Sequence, residues 1–249
     1  MISIEPVTLL KLGGSVITKK DQPETLNETN LRAAATVISN HRPKNLIVVH
    51  GGGSFGHFHA SNFDVTVESG TPNATEVDII HSSMINLCDT VIHTFHSLNI
   101  PAIPIHPLSV AWRDSNSVLH FPSQHILSLL ESGFVPVVHG DIIATAKEGA
   151  TIVSGDEIVT NLSNSISTNR IGFCTLTPGV LDSSGNVIPH LSPHQQKESS
   201  ITHSSATDVT GGMAGKVNEL ANASSPVSIF DLPNLEAFLK GNNPGTLVQ

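Results

Sequence analysis

Asn45-Leu46-Ile47-Val48-Val49 is an apolar, β-branched run that feeds directly into His50-Gly51-Gly52-Gly53-Ser54-Phe55-Gly56-His57. Glycines carry no Cβ, so a loop built from them can turn its backbone N–H groups inward and let an anion approach closely. A histidine on the rim of such a loop adds a donor and, when protonated, a charge. A short apolar run followed by a glycine-marked loop recurs along the chain. Thr8-Leu9-Leu10-Lys11-Leu12 precedes Gly13-Gly14-Ser15, and Phe134-Val135-Pro136-Val137-Val138 precedes His139-Gly140-Asp141. Segments of helical periodicity alternate with these strands. Leu31, Ala34, Ala35 and Ile38 share one face of residues 27–40, and Val77, Ile80, Met84, Leu87, Cys88, Val91, Phe95 and Leu98 do so over 73–99, up to Pro101. Strand and helix in alternation predict an α/β fold, a three-layer α/β/α sandwich with a mostly parallel central sheet.

The rest of the chain extends that pattern. Val16 to Lys20 reads as a continuation of the first strand, and residues 61–72 as a polar stretch before the long helix. Residues 112–121, 142–153 and 179–188 read as hairpins, with turns at Asp114-Ser115-Asn116-Ser117, Lys147-Glu148-Gly149 and Ser183-Ser184-Gly185-Asn186. Helices are expected over 122–131, 154–167, 211–223 and 233–240, strands over 102–105, 170–176 and 227–230, a mobile loop over 189–206, and an edge strand over 245–249. No repeat or flexible linker interrupts the 249 residues, which form one continuous unit of two joined lobes, 1–165 and 166–249.

A net charge of −9 argues against a nucleic-acid surface, so any anion site must concentrate a few of the 12 basic residues. No apolar run approaches a membrane span, and the amino terminus has no basic, apolar leader, so a soluble cytoplasmic protein is expected. Cys88 and Cys174 lie in apolar surroundings and read as buried thiols. The 14 histidines include the close pairs His57/His59 and His93/His96, but none shows zinc-ligand spacing with cysteine or carboxylate, and no dedicated metal site is expected.

Gly51 to Gly56 satisfies G-x-G-x-x-G, the dinucleotide fingerprint, which by itself is a weak signal. It stands after the second strand rather than the first, a polar segment separates it from the next periodic helix, and no acid ends a strand about twenty residues on. A second template needs a lysine beside another glycine loop. Lys11 is a charge inside an apolar strand, costly to bury without a partner, and Gly13-Gly14-Ser15 follow it at once. Two further nests open predicted helices: Ser154-Gly155-Asp156, and Asp208-Val209-Thr210-Gly211-Gly212-Met213-Ala214-Gly215-Lys216. The last is not a Walker A loop, since three residues separate Gly211 from Gly215 and Val217 stands where Ser or Thr belongs.

These four loops, in this order, resemble the amino acid kinase superfamily over essentially the whole chain. The histidine directly after Gly-Ser-Phe-Gly, the Gly140-Asp141 pair and the phrase Asp208 to Met213 narrow the resemblance to the isopentenyl phosphate kinases. That resemblance implies the amino acid kinase fold and transfer of a phosphoryl group from ATP, with magnesium carried by the nucleotide, to isopentenyl phosphate in an archaeal-type mevalonate route. It implies that Lys11, Leu12, Gly13, Gly14 and Ser15 hold the ATP phosphates, with Gly53, Gly212 and Lys216 also facing the nucleotide. Lys20, next to Lys19, would stand near the transferred group; Gly52, Gly53 and Gly56 would form the cradle; His57 would hold the acceptor phosphate. Gly155 would touch the substrate and Asp156 would orient the lysines, in a homodimer whose acceptor lobe is 1–165 and nucleotide lobe 166–249. The isoprenoid tail needs an apolar pocket, and Ile79, Ile80, Ser83, Met84 and Leu87 on the long helix are candidates, though core positions is the plainer reading of each.

The chain departs from the family at Thr175-Leu176-Thr177-Pro178-Gly179, where relatives carry an aspartate pair, and at Phe58, where many carry proline. A kinase of another small phosphate or phosphonate, similar to fosfomycin kinases, and a nucleotide-binding regulator without turnover are the competing readings.

Overall fold

The computed structural model describes residues 6–66, 72–147, 149–192, 220 and 222–249. An eight-stranded sheet runs through it, built from β1 (Val7–Leu12), β2 (Leu46–His50), β3 (Ala102–Ile105), β6 (Val135–His139), β9 (Thr168–Thr175), β10 (His190–Leu191), β11 (Val227–Asp231) and β12 (Thr246–Val248). The strand order is β10-β12-β11-β9-β1-β2-β6-β3. Every neighbouring pair is parallel except β11 with β12. A small second sheet holds β4 (Trp112–Arg113), β5 (Leu119–His120), β7 (Asp141–Thr145) and β8 (Gly149–Val153) in the order β5-β4-β7-β8.

The central strands are buried on both faces, as parallel strands between helix layers must be. Side chains alternate across the sheet: Leu9, Ile47 and Val49 enter one core, and Leu10, Leu12, Leu46 and Val48 the other. The first core is closed by α7 (Gly155–Ser165) and α6 (Ser123–Glu131). The second is closed by α2 (Glu28–His41) and the long α4 (Ala74–His96). Asn27 caps α2 by accepting from the Asn30 N–H. Asn73 and Glu76 form a reciprocal capping box at the start of α4. Cys88 and Cys174 are both buried thiols, and burial pushes each up to about 12.

Four expectations change. The chain after Gly13 is a short helix, α1 (Gly14–Ile17), and not more strand; only Thr18 bridges back, to Leu26. The glycine loop opens a helix at once, α3 (Gly53–Asn62), inside what reads as a loop and polar stretch. Its apolar residues lack a clean period because glycines and histidines occupy four of its 10 positions, and it is held by packing on α4. That removes one argument against the dinucleotide fingerprint; the placement after the second strand stands. Finally, β12 is not an edge, because His190–Leu191 pairs outside it, within a stretch expected to be loop. α5 (Pro107–Val110) and α8 (Leu235–Leu239) complete the described helices, and the helix expected over 211–223 lies outside the described residues apart from Leu220. The sheet passes from segment 1–165 to segment 166–249 between β1 and β9.

Candidate active site

The carboxyl ends of β1, β2, β6 and β9 surround a cavity of about 450 Å³. Its floor is two glycine loops in backbone contact. A Cβ on Gly14 would fall 2.2 Å from the Gly53 nitrogen, and one on Gly53 would fall 2.1 Å from Thr18 Oγ1. Gly53 also has φ +50, in the left-handed region. The two loops therefore interlock only as glycines. Leu12 accepts from the Gly51 N–H, and Thr18 Oγ1 accepts from the Ser54 N–H, which fixes the loops further. The amides of Gly14, Ser15, Gly52 and Gly53 find no acceptor among the described residues, which leaves them able to donate to an anion.

Lys11 projects from β1 on the α7 side of the sheet, 7% exposed. Its ammonium lies 2.5 Å from Asp156 Oδ1 and 5.4 Å from the Phe173 ring centroid. Ser154 Oγ accepts from the Glu157 N–H, which sets the first turn of α7 and so the position of Asp156. The buried carboxylate answers the cost of burying the lysine. Glu157 in turn forms a two-armed ion pair with Arg113 of β4, which also donates to the Ile152 carbonyl. This link between the small sheet and α7 was not evident from spacing.

Gly13, Gly14, Ser15, Lys20, Gly52, Gly53, Gly56, His57 and Gly155 also line the cavity. Lys20 does so while Lys19 does not, and Lys20 has no hydrogen-bond or salt-bridge partner among the described residues. His57 is exposed, on the second turn of α3. Leu12 is the exception: its side chain is in the core, and it meets the site only through its carbonyl. Gly212 and Lys216 lie outside the described residues. The apolar side of the cavity is Phe58, Ile80, Met84 and Ile152. Ile80 and Met84 are thus wall residues as well as buried ones, while Leu87 is core and Ser83 is spent on hydrogen bonds to Glu24 and Phe55.

At the aspartate-poor turn, Thr175 Oγ1 donates to the Thr177 carbonyl and Thr177 Oγ1 to that of Gly179, so the turn is internally satisfied. Asp231 ends the neighbouring strand β11 in register with Thr175 and accepts from Asn234 Nδ2 at 2.7 Å.

Beneath the cradle lies a feature that the scattered spacing of the histidines conceals. His50, His106 and His139 follow or end three adjacent strands, and His81 reaches them from α4. His139 Nδ1 donates to the Gly140 carbonyl at 2.9 Å, so its Nε2 accepts from His106 Nδ1, also at 2.9 Å. Burial holds His50 down at about 4 and His139 at about 3, whereas the hydrogen bond to Asp141 raises His81. The ligating atoms of Cys88, His106 and His139 lie within 4.8 Å of one another, a convergence absent from the sequence reading. The hydrogen bond between the two imidazoles occupies the His139 lone pair that a metal would need.

Residues 6–230 match the amino acid kinase family. The chain is 43% identical over 244 residues to the isopentenyl phosphate kinase of Haloferax volcanii, covering 98% of each chain. It is 33% identical over 227 residues to that of Methanocaldococcus jannaschii, covering 85% of each. Among solved structures, one described as X-ray structures of isopentenyl phosphate kinase superposes with a TM-score of 0.83 at 26% identity, over 98% of this chain and 100% of that one.

Proposed function

The chain belongs to the amino acid kinase family, and on that premise we propose that it transfers the terminal phosphoryl group of ATP to isopentenyl phosphate, giving ADP and isopentenyl diphosphate. The observation that carries this reading is the two-faced cavity. Unspent backbone amides and His57 stand on one side, and Phe58, Ile80, Met84 and Ile152 on the other. An acceptor with an ionised head and a short branched hydrocarbon tail satisfies both. End-to-end similarity to kinases of that acceptor supports the same choice.

Two phosphorylated molecules meeting head to head bring several negative charges together, so catalysis is mainly alignment and charge neutralisation. In this reading the Gly52–Gly53 amides sit between donor and acceptor phosphates. Lys11, held by Asp156, and Lys20 flank the moving group, while His57 donates to the acceptor phosphate. The acceptor is ionised at neutral pH, so no catalytic base is required. Among the described residues the cavity's carboxylates are Asp21, Asp141 and Asp156, and the last two are engaged by His81 and Lys11. That donor set suits magnesium brought by the nucleotide rather than a protein cage. None of the described helices is long and apolar enough to cross a membrane, and we place the enzyme in the cytoplasm, as a homodimer, in an archaeal-type mevalonate route.

A coupled ADP-release assay across a panel of monophosphates and phosphonates tests the reading. Isopentenyl phosphate is expected to give the highest kcat/KM. A phosphonate or another small phosphate turning over faster, or ATP binding without turnover of any, overturns it.

A further inference from the structure

Lys20 rides on an arm, residues 19–26, whose tip packs on no core cluster: Asp21, Gln22, Pro23 and Glu24 are all exposed. The base of the arm is tied by the Lys19 N–H to the Thr25 carbonyl, and by the Thr25 N–H to Ser54 Oγ. Beyond the base, the Gln22 N–H donates to the Lys19 carbonyl and the Glu24 N–H to that of Ser54, and one side chain of the tip reaches both α3 and α4. Glu24 Oε1 accepts from Ser83 Oγ of α4 at 2.7 Å and faces His59 Nε2 of α3 at 2.9 Å. Glu24 also has φ +45, a conformation that a non-glycine residue adopts at a cost. An acidic side chain kept where glycine would be easier is accounted for by what the side chain holds.

The two elements that Glu24 grips are those that face the acceptor. His59 lies two positions after His57 on α3, and Ser83 immediately precedes Met84 of the apolar wall. Ser83 also donates to the Phe55 carbonyl, so α3, α4 and the arm meet at one carboxylate oxygen. The hydrogen bonds from Ser83 and His59 hold the Glu24 carboxyl below its ordinary value, which keeps it an anion and an acceptor at neutral pH.

Building on the proposed kinase reaction, we infer that Glu24, clasped by Ser83 and His59, is a positioning residue that sets the Lys20 ammonium over the transferred phosphoryl group and ties that placement to the acceptor-side helices. Glu24 does not line the cavity, so it acts through Lys20 and not on substrate.

The discriminating variant is Glu24→Gly, which releases the clasp and relieves the left-handed residue at once. Misplacement of a catalytic group by about 1 Å costs up to about 100-fold in rate, so kcat is expected to fall about 10- to 100-fold. The thermal midpoint should stay near that of the parent, and KM for isopentenyl phosphate should change little. Glu24→Gln, which keeps the acceptor oxygen, should restore most of kcat. In a Lys20→Ala background Glu24→Gly should cost nothing more, because there is no ammonium left to place. Amide exchange over residues 19–26, read without substrate, should quicken in Glu24→Gly and in Ser83→Ala. Parental kcat in Glu24→Gly, losses that multiply with Lys20→Ala, full activity of Lys20→Ala, or unchanged exchange each overturn the inference. Failure of the parent protein to use isopentenyl phosphate, with the exchange result intact, overturns the substrate and leaves the clasp standing.

Discussion

Lys11 and His50 are buried bases at the same end of paired strands, with Leu12 opposite His50 in register. They meet burial in opposite ways. Lys11 has a carboxylate 2.5 Å from its nitrogen, and the charge it brings is matched inside the fold. Among the described residues His50 has only the Gly51 carbonyl on Nδ1 and nothing on Nε2, and burial drives it neutral, with its pKa down at about 4. Lys11 opens onto the cavity, where charge is useful; His50 and His139 stack 5.4 Å apart beneath it, where rings fill space between strand ends. The comparison separates two jobs that residues of one chemical class perform a few ångströms apart. Changes in the cavity should be read in turnover, and changes in the histidine stack should be read in stability.

Lys11 is the residue that breaks the separation, and it carries the largest expected effect. Lys11→Met removes a positive charge from the transition state, expected to lower kcat by about 1000-fold. It also leaves Asp156 buried and unpaired, expected to cost about 3–5 kcal/mol. Lys11→Met with Asp156→Asn should recover most of the stability and none of the rate. Denaturant melts beside steady-state kinetics check both, and recovered activity in the double variant would show that the lysine charge is not used in catalysis.

His57 keeps the separation. It is exposed on α3, and His57→Ala should shift stability by no more than about 0.5 kcal/mol. Loss of its donor to the acceptor phosphate should cut kcat/KM for isopentenyl phosphate by about 100-fold while ATP still binds. Kinetics with nucleotide titration calorimetry read the two halves, and parental kcat/KM would remove His57 from the site.

The sequence was most informative where backbone chemistry dictates residue type. Gly14, Gly51 and Gly53 must be glycine because two loops touch backbone to backbone, and that requirement is visible as glycine runs beside Lys11 and His57. The strands were legible because burial on both faces demands apolar runs such as Leu46–Val49. α3 was not, since its helical face is set by contact with α4 and not by its own periodicity. The histidine stack was also hidden: His50, His106 and His139 come together only because β2, β3 and β6 are neighbours in the sheet, and His81 joins them from α4, placements that no spacing encodes. The Glu24 clasp needs both kinds of knowledge, an unusual φ and a long-range contact to Ser83.

The stack should show itself in acid. His50 and His139 have folded-state pKa values depressed to about 4 and about 3, so their contribution is fully present above the ordinary value near 6.5 and is lost as pH falls toward the folded values. Each should then remove up to about 1.4 kcal/mol of stability per pH unit within that window. His106, also depressed by burial, acts in the same direction. His81 is raised by Asp141, so its contribution is present in acid and is lost as pH rises through its folded value, partly offsetting the others. Urea unfolding at pH 7, 6 and 5 measures the slope. His50→Gln should lower that slope by one proton whatever it does at pH 7, and an unchanged slope would mean that His50 is not the group being titrated.

The smallest effect tests how the cavity depends on its scaffold. Ser154 caps α7 through the Glu157 N–H, and the turn it organises carries Asp156 to Lys11. Ser154→Ala should cost about 1 kcal/mol of stability, the usual worth of such a cap. Asp156 is held a second way, by its 2.5 Å contact with Lys11 from a strand with no freedom to follow a fraying helix. Glu157 is likewise held by Arg113. These ties should keep the first turn in place without its cap, so kcat is expected to fall by no more than about threefold, the rate equivalent of under 1 kcal/mol. Thermal melts and kinetics on the one variant decide the matter. A loss of kcat well beyond the loss of stability would mean that the Lys11–Asp156 pair is placed by the helix cap, and that the cavity and its scaffold are less separable than the contrast between Lys11 and His50 implies.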